Sequence, residues 1–351
     1  MSRTLPRAHG GPVISGVLRA TPEDFQVSEV MPVTPDGAGE HLWLHLRKRG
    51  VNTADLAVAL ARLAGVSPRA VGYSGLKDRV AVTDQWFSLH LPGKPDPDLT
   101  TLPEGVTLLA AARHGRKLNR GTHRANRFVL AVRDIEGDRA LLVERLEAVA
   151  RQGVPNYFGE QRFGRHGDNF DRARDWLLGQ GEAPRKQALR SLWLSAARSE
   201  LFNQVLAARV TQGCWDTPLA GDILQPEGSR GLFLADDEPR AQERVEAGEA
   251  HPTAPMPGAG GMASSGACAA LETAVLGPHQ ALIEALAGQG LEAARRATRL
   301  PVSDFAWALD EAGGVLQLTM TLPSGAFATT VLAEVLSARE QLSAREQTGA
   351  A

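Results

Sequence analysis

Asp78, in the run Gly75-Leu76-Lys77-Asp78-Arg79, is the residue whose surroundings most invite a chemical reading. An aspartate with an unperturbed pKa of about 3.9 is ionised at neutral pH and can serve as a nucleophile or a base. An aspartate that follows a glycine more often caps or turns a loop, and the pentapeptide alone does not separate the two roles. In a closed, dry pocket the carboxylate would become protonated unless a cation or hydrogen-bond donors hold it charged, so a basic partner is expected from elsewhere.

A second feature is charge. The formal total is -2, yet the stretch from Arg113 to Arg133 holds seven Lys or Arg and no acid, and within it Arg116, Lys117, Arg120, Arg124 and Arg127 lie close together. A local basic run of this kind suits a polyanion whatever the net charge, although it also suits a solvated loop. Residues Asp236 to Glu249 are acidic by contrast.

Other chemistries lack their residues. Glu40-His41 with His45 does not follow the His-Glu-x-x-His order of a helical zinc site, and the segment reads as a strand. There is no Gly-x-x-x-x-Gly-Lys-Ser/Thr loop and no Gly-x-Ser-x-Gly elbow. Gly258 to Gly266 shows no pattern of a preceding strand and following helix, so a dinucleotide site is not expected there. Cys214 and Cys268, the only cysteines, have no Cys-x-x-Cys spacing and read as reduced and structural. Neither a metal nor a cofactor is expected.

These residues need a scaffold. At 351 residues the chain is long enough for about two domains, and 43% hydrophobic with 22% charged residues is an ordinary globular composition. No apolar run reaches the ~20 residues of a membrane span and the first residues do not resemble a signal peptide, so a cytosolic protein with no membrane contact is expected. Strands are predicted at Gly16 to Arg19, Phe25 to Met31, His41 to Arg47, Gln85 to Leu91, Val106 to Ala111, Asn126 to Arg133 and Val315 to Leu322. Helices are predicted from Asn52 or Thr53 to Leu63 with Gly65 as the stop, from Arg139 to Arg151, from Gln187 to Val210 and from Ala326 to Leu336. The stretch 213 to 278 is rich in Gly and Pro, and Pro252 to Gly261 reads as loop. The tail repeats Ser-Ala-Arg-Glu-Gln at 337 and 343 and reads as a frayed helix or a flexible end.

Gly75-Leu-Lys-Asp-Arg-Val-Ala-Val-Thr-Asp-Gln85 closely resembles the signature G-x-K-D-[RK]-x-A-x-T-x-Q of the TruD family of tRNA pseudouridine synthases. Five further segments resemble that family in the same order: Pro22 to Glu29, Arg116 to Phe128, Gly153 to Gly164, Ser195 to Asn203 and Leu322 to Leu332. The resemblance implies an α+β fold, a catalytic domain with a mixed, mostly antiparallel sheet, interrupted by an inserted α/β domain. The parts would be 1–152 and 302–340 for the catalytic domain and 153–301 for the insertion, with 341–351 as a flexible tail. It implies isomerisation of uridine to pseudouridine at position 13 of tRNA, in the D arm, without cofactor or metal, and no obligatory protein partner is indicated.

On this resemblance Asp78 is the nucleophile or base. Attack at C1', addition to C6 and removal of the C2' proton all remain open. Arg19 aligns with the basic residue proposed to pair with that carboxylate, commonly Lys in the family, and Lys77 has no assigned role. Phe128 is placed against the flipped base, with Phe25 and Phe327 as further pocket residues, and Asn126, two positions before Phe128 and so on the same strand face, can read the uracil edge. Core packing is the ordinary fate of such phenylalanines. Residues Asn156 to Phe163 together with Arg165 mix aromatic faces with cations, which fits either an RNA surface or a buried hinge. A nucleoside hydrolase that uses the same aspartate, and an RNA-binding or RNA-folding protein without essential catalysis, are the alternatives carried forward.

Overall fold

The computed structural model describes residues 5–164, 166–310 and 314–340. The described chain divides into two compact units, one made of Val13–Leu142, Val302–Gly325 and residues 336–340, the other of residues 5–12, Val143–Pro301 and Ala326–Val335.

In the first unit, strands β1 (Ile14–Leu18) and β2 (Phe25–Val30) alternate buried and half-buried residues and are joined through a single 3-10 turn at Pro22–Asp24. Strand β3 (His41–Arg49) leads into helix α1 (Thr53–Leu63), whose Leu56 and Leu60 are wholly buried. Gly65 ends that helix in the left-handed region at φ 59°, which a glycine adopts without the Cβ clash. Strands β4 (Val71–Tyr73), β5 (Val82–His90), β6 (Val106–His114) and β7 (Ala125–Gly137) follow. The apolar face of α1 meets Leu42, Leu44 and Leu46 of β3 and Phe87 and Leu89 of β5. That alternation was the period-2 signal in the sequence.

Helix α2 (Arg139–Gln152) starts in this unit and ends in the other. The second unit continues with β8 (Val154–Pro155), α3 (Asn169–Leu177), the 25-residue α4 (Gln187–Thr211), β9 (Ile223–Pro226), β10 (Phe233–Leu234), α5 (Ala241–Glu246), β11 (Ala250–Met256), α6 (Gly266–Leu276), α7 (Gln280–Gly288), β12 (Ala294–Ala297) and β13 (Arg299–Leu300). Its sheet runs β10-β9-β11-β12, antiparallel throughout.

Two expectations fail here. Residues 252 to 256 are strand, not loop, despite Pro252 and Pro255. Pro252 lies in the half of β11 paired only with β9, and Pro255 in the half paired only with β12, so each has one edge where its missing N–H interrupts no ladder. A strand (β11) and a helix (α6) also flank Gly258 to Gly266, contrary to the sequence reading. The strand belongs to an antiparallel sheet, whereas a dinucleotide site is built on a parallel β-α-β unit.

The chain then returns to the first unit with β14 (Ser303–Asp310) and β15 (Val315–Pro323). Helix α8 (Ala328–Leu332) belongs to the second unit, and β16 (Leu336–Glu340) to the first. The predicted helix from Ala326 to Leu336 is therefore only five residues long and gives way to a strand. Thr329, Thr330 and Val331 are β-branched and weaken a helix, and β16 gains a parallel ladder with β1, Ile14 opposite Leu336. Ser337 to Glu340, from the first copy of the tail repeat, lie in that strand and are not helical, while 341–351 fall outside the described residues.

The large sheet runs β14-β15-β7-β2-β5-β3-β6. Only β1–β16 and β2–β5 pair in parallel within it. Its axis is β7, thirteen residues long, which pairs with β15 along one edge and with β2 and then β1 along the other. It thereby sets Phe128 opposite both Val27 and Met320, and Asn126 opposite Glu29 and Leu322.

Candidate active site

Asp78 sits on the loop between β4 and β5, and that loop is held by side chains from inside its motif and from β3 and α1. Gln85 donates through Nε2 to the Gly75 carbonyl at 2.7 Å and accepts from Thr53 Oγ1 at 3.0 Å. Thr53 accepts in turn from the Lys77 amide at 3.1 Å. Lys48, wholly buried, donates to the carbonyls of Val51 at 2.9 Å and Asp78 at 3.2 Å. The Val80 amide donates to Asp78 Oδ1 at 3.0 Å. The backbone is pinned while the other carboxylate oxygen is left to a partner.

That partner is Arg19, whose guanidinium lies 3.2 Å from Asp78 Oδ2, with the arginine side chain 10% and the aspartate side chain 40% exposed. Arg19 follows β1 directly and has φ 59°, a conformation that costs a non-glycine residue of order 1 kcal/mol and so needs the surrounding contacts to hold it. Its guanidinium also stacks over the Phe25 ring at 4.1 Å from the centroid, and Phe25 meets Phe128 edge to face at 6.2 Å. Phe25 and Phe128 are both buried. Asn126, buried as well, precedes Phe128 by two on the same face of β7. The structure thus brings Asp78, Arg19, Phe25 and Phe128 into one chain of contacts, and Asn126 shares with Phe128 one face of β7. Phe327 belongs to the other unit, where it precedes α8 and is half-buried.

Beside Asn126 lies a buried polar group. Glu29 Oε1 is 2.8 Å from Lys77 Nζ and 4.0 Å from His123 Nδ1, and Glu29 Oε2 accepts from the Trp86 amide at 2.8 Å. Burial pushes the Glu29 carboxyl up and Lys77 opposes that rise. Burial, with Lys77 adding repulsion, pushes His123 down to about 4. Burial likewise pushes Lys48 down to about 8 against the attraction of Asp78.

The basic run separates into two kinds. Arg113 is tied to Asp96 at 2.5 Å, and Arg133 grips the buried Asp24 through two nitrogens at 2.7 and 3.0 Å. Arg116, Arg120, Arg124 and Arg127 are exposed, with no acid against them among the described residues. Lys117 is half-buried and donates to the Arg69 carbonyl at 2.6 Å.

In the other unit, Tyr157 and Phe158 are buried with Phe202, and Asn203 bridges the Phe158 amide and carbonyl at 2.9 Å each. Those aromatics are core. Gln161 is exposed, Arg162 and Phe163 are half-buried, and Arg165 falls outside the described residues. His45, weighed above as a metal ligand, stacks on Trp86 at 4.6 Å, and no cluster of three or more His, Cys, Asp or Glu suited to a metal occurs among the described residues.

Lys48, Glu29 and His123 escaped the sequence reading. Lys48 carried a signal: it continues the inward period of Leu42, Leu44 and Leu46 along β3. Glu29 and His123 lie inside the motif segments, but burial of a charged residue beside another is set by strands far apart in sequence.

The model of the family described as tRNA pseudouridine synthase D (TruD) matches residues 7–172 and 183–335. This chain belongs to the TruD family. Among its relatives, tRNA pseudouridine synthase D of Pseudomonas syringae pv. tomato is 47% identical over 332 residues, 94% of each chain. The protein of the same name from Ectopseudomonas mendocina is 48% identical over the same shares. A solved chain from Methanosarcina mazei, named as a TruD protein, superposes with a TM-score of 0.78 at 22% identity, covering 93% of this chain and 95% of its own. The fold is therefore the α+β fold of TruD. No helix among the described residues is long and apolar enough to cross a membrane.

Proposed function

We propose that this chain isomerises a uridine of tRNA to pseudouridine, at position 13 in the D arm, in the cytosol, with Asp78 as the reacting carboxylate. The observation that carries this reading is the Arg19–Asp78 pair over Phe25, two oppositely charged groups in contact on a pinned loop beside two aromatic rings. In this reading residues 1–152 and 302–340 are the catalytic domain and 153–301 the insertion, although 143–152 and 326–335 group with the insertion in the compact units.

The reaction breaks the bond from C1' to N1, turns the base and joins C1' to C5. The C5 proton is lost and N1 gains one, so nothing is oxidised and no redox partner is required. Attack at C1', addition at C6 and removal of the C2' proton each call for a carboxylate, and the Arg19 guanidinium lies 3.2 Å from that of Asp78. The target base must leave its stack at a cost of a few kcal/mol. Stacking on Phe128 would return about 1–3 kcal/mol. Phe25 would complete the pocket, and Asn126 would meet the base edge. Arg116, Lys117, Arg120, Arg124 and Arg127 would follow the phosphates.

Tritium release from tRNA labelled at uridine C5 tests the reading. Asp78→Asn is expected to abolish release and leave tRNA binding within a few-fold of wild type. Release of free uracil by the wild type would instead mark a hydrolase, and tight binding with no release an RNA-binding protein.

A further inference from the structure

Asn126 Oδ1 is buried and has no hydrogen-bond partner among the described residues, which is costly for a carbonyl oxygen unless something completes it. The other end of the amide is engaged: Nδ2 lies 3.3 Å from His123 Nε2. An amide presents a donor at one end and an acceptor at the other, so whatever fixes its rotation decides what the site offers a ligand. Here that depends on which ring nitrogen of His123 carries the proton.

One neighbour selects the tautomer. Glu29, from β2, places Oε1 4.0 Å from His123 Nδ1 and is itself held by Lys77 at 2.8 Å. A carboxylate facing Nδ1 attracts an N–H there and repels a lone pair. The lone pair is then on Nε2, where it accepts from Asn126 Nδ2 and from Ser324 Oγ, 3.1 Å away in the turn after β15. A doubly protonated ring would donate from both nitrogens and turn the amide round, but burial and the nearby Lys77 charge keep the ring neutral near pH 7.

We propose that His123 is a positioning residue that locks the Asn126 amide with Oδ1 toward the base, and that this lock selects uracil over cytosine. Uracil carries an N–H at N3, which an acceptor completes. Cytosine carries a lone pair there, which the same acceptor repels. The inference rests on the reading of Asn126 as a group beside the base.

The test is a double-mutant cycle on kcat/KM for uridine-containing tRNA, with His123→Ala, Asn126→Ala and the double variant, each checked for native melting. His123→Ala is expected to lower kcat/KM about 10-fold or more in the wild-type background and to do nothing further in Asn126→Ala, as groups acting as one unit do. Losses that multiply would overturn the lock and give His123 a separate structural role. An Asn126→Ala protein of wild-type activity would overturn the reading of Asn126 itself. On an Asp78→Asn background, binding of RNA with cytidine at the target should be weaker than with uridine, and adding His123→Ala should bring the two together; an unchanged ratio counts against the proposal. His123→Gln, whose carbonyl can accept from Asn126 while its amide faces Glu29, should restore most of the loss.

Discussion

The Nζ of Lys48 donates to the carbonyl oxygen of Asp78 at 3.2 Å from a side chain with no solvent exposure. The same ammonium donates to Val51 at 2.9 Å, so the start of α1 and the Asp78 loop share one anchor. The backbone of Asp78 is thereby set by a strand, while its carboxylate is set by Arg19 from the end of another.

Lys48→Met should therefore lower kcat by about 10- to 100-fold with little change in KM, because a loop misplaced by about 1 Å forfeits that order of rate. Single-turnover kinetics with saturating enzyme would separate the two, and a loss confined to KM would show that the anchor serves binding instead.

The same residue predicts a pH dependence. The folded chain releases the Lys48 proton at about 8, while the unfolded chain holds it to about 10.4. Between those values the unfolded state binds more protons, so this residue makes stability rise with pH across that window; below pH 8 its buried charge is a standing cost. Urea midpoints of wild type and Lys48→Met, compared at pH 7 and pH 10, should shift in favour of wild type at the higher pH. A difference that does not change with pH would contradict the burial argument.

Arg19→Lys should keep part of the activity and Arg19→Gln very little, since charge survives in the first while the planar stack over Phe25 is lost in both. A fall in kcat of roughly 10-fold for Lys and 100-fold or more for Gln is the expected order in tritium release. Equal activity of the two would remove charge as the reason for the pair.

Removing Arg124 and Arg127 together should weaken tRNA binding and flatten the slope of log K against log salt by about 0.7–0.9 for each phosphate that is no longer neutralised. Arg113→Ala should leave that slope alone, because its guanidinium is already committed to Asp96 and the Lys94 carbonyl. A slope insensitive to Arg124 and Arg127 would take the free part of the basic run out of the RNA footprint.

Much of this molecule was legible from residue order. The alternation in β3, the repeat of Leu56 and Leu60 with Gly65 as the stop, and the long helix from Gln187 are local periodicities, and periodicity is what a single sequence displays. The motif around Asp78 was likewise readable, and its Gln85 turns out to brace the loop through the Gly75 carbonyl. What composition misjudged was the stretch from Pro252, where two prolines read as loop but sit on the unpaired edges of β11. The helix expected to reach Leu336 ended early because a parallel partner, β1, lies more than three hundred residues away.

By itself, then, the sequence determined the family and most of the local elements, because those depend on residue type and short spacing. The tertiary structure alone decided which cations of the basic run are consumed by Asp96 and Asp24, that Lys48 ends beneath Asp78, and that Glu29 meets Lys77 and His123 beside Asn126. Charge is written in the sequence; the partner that neutralises it, and the burial that shifts its proton, come from strands brought together only by folding.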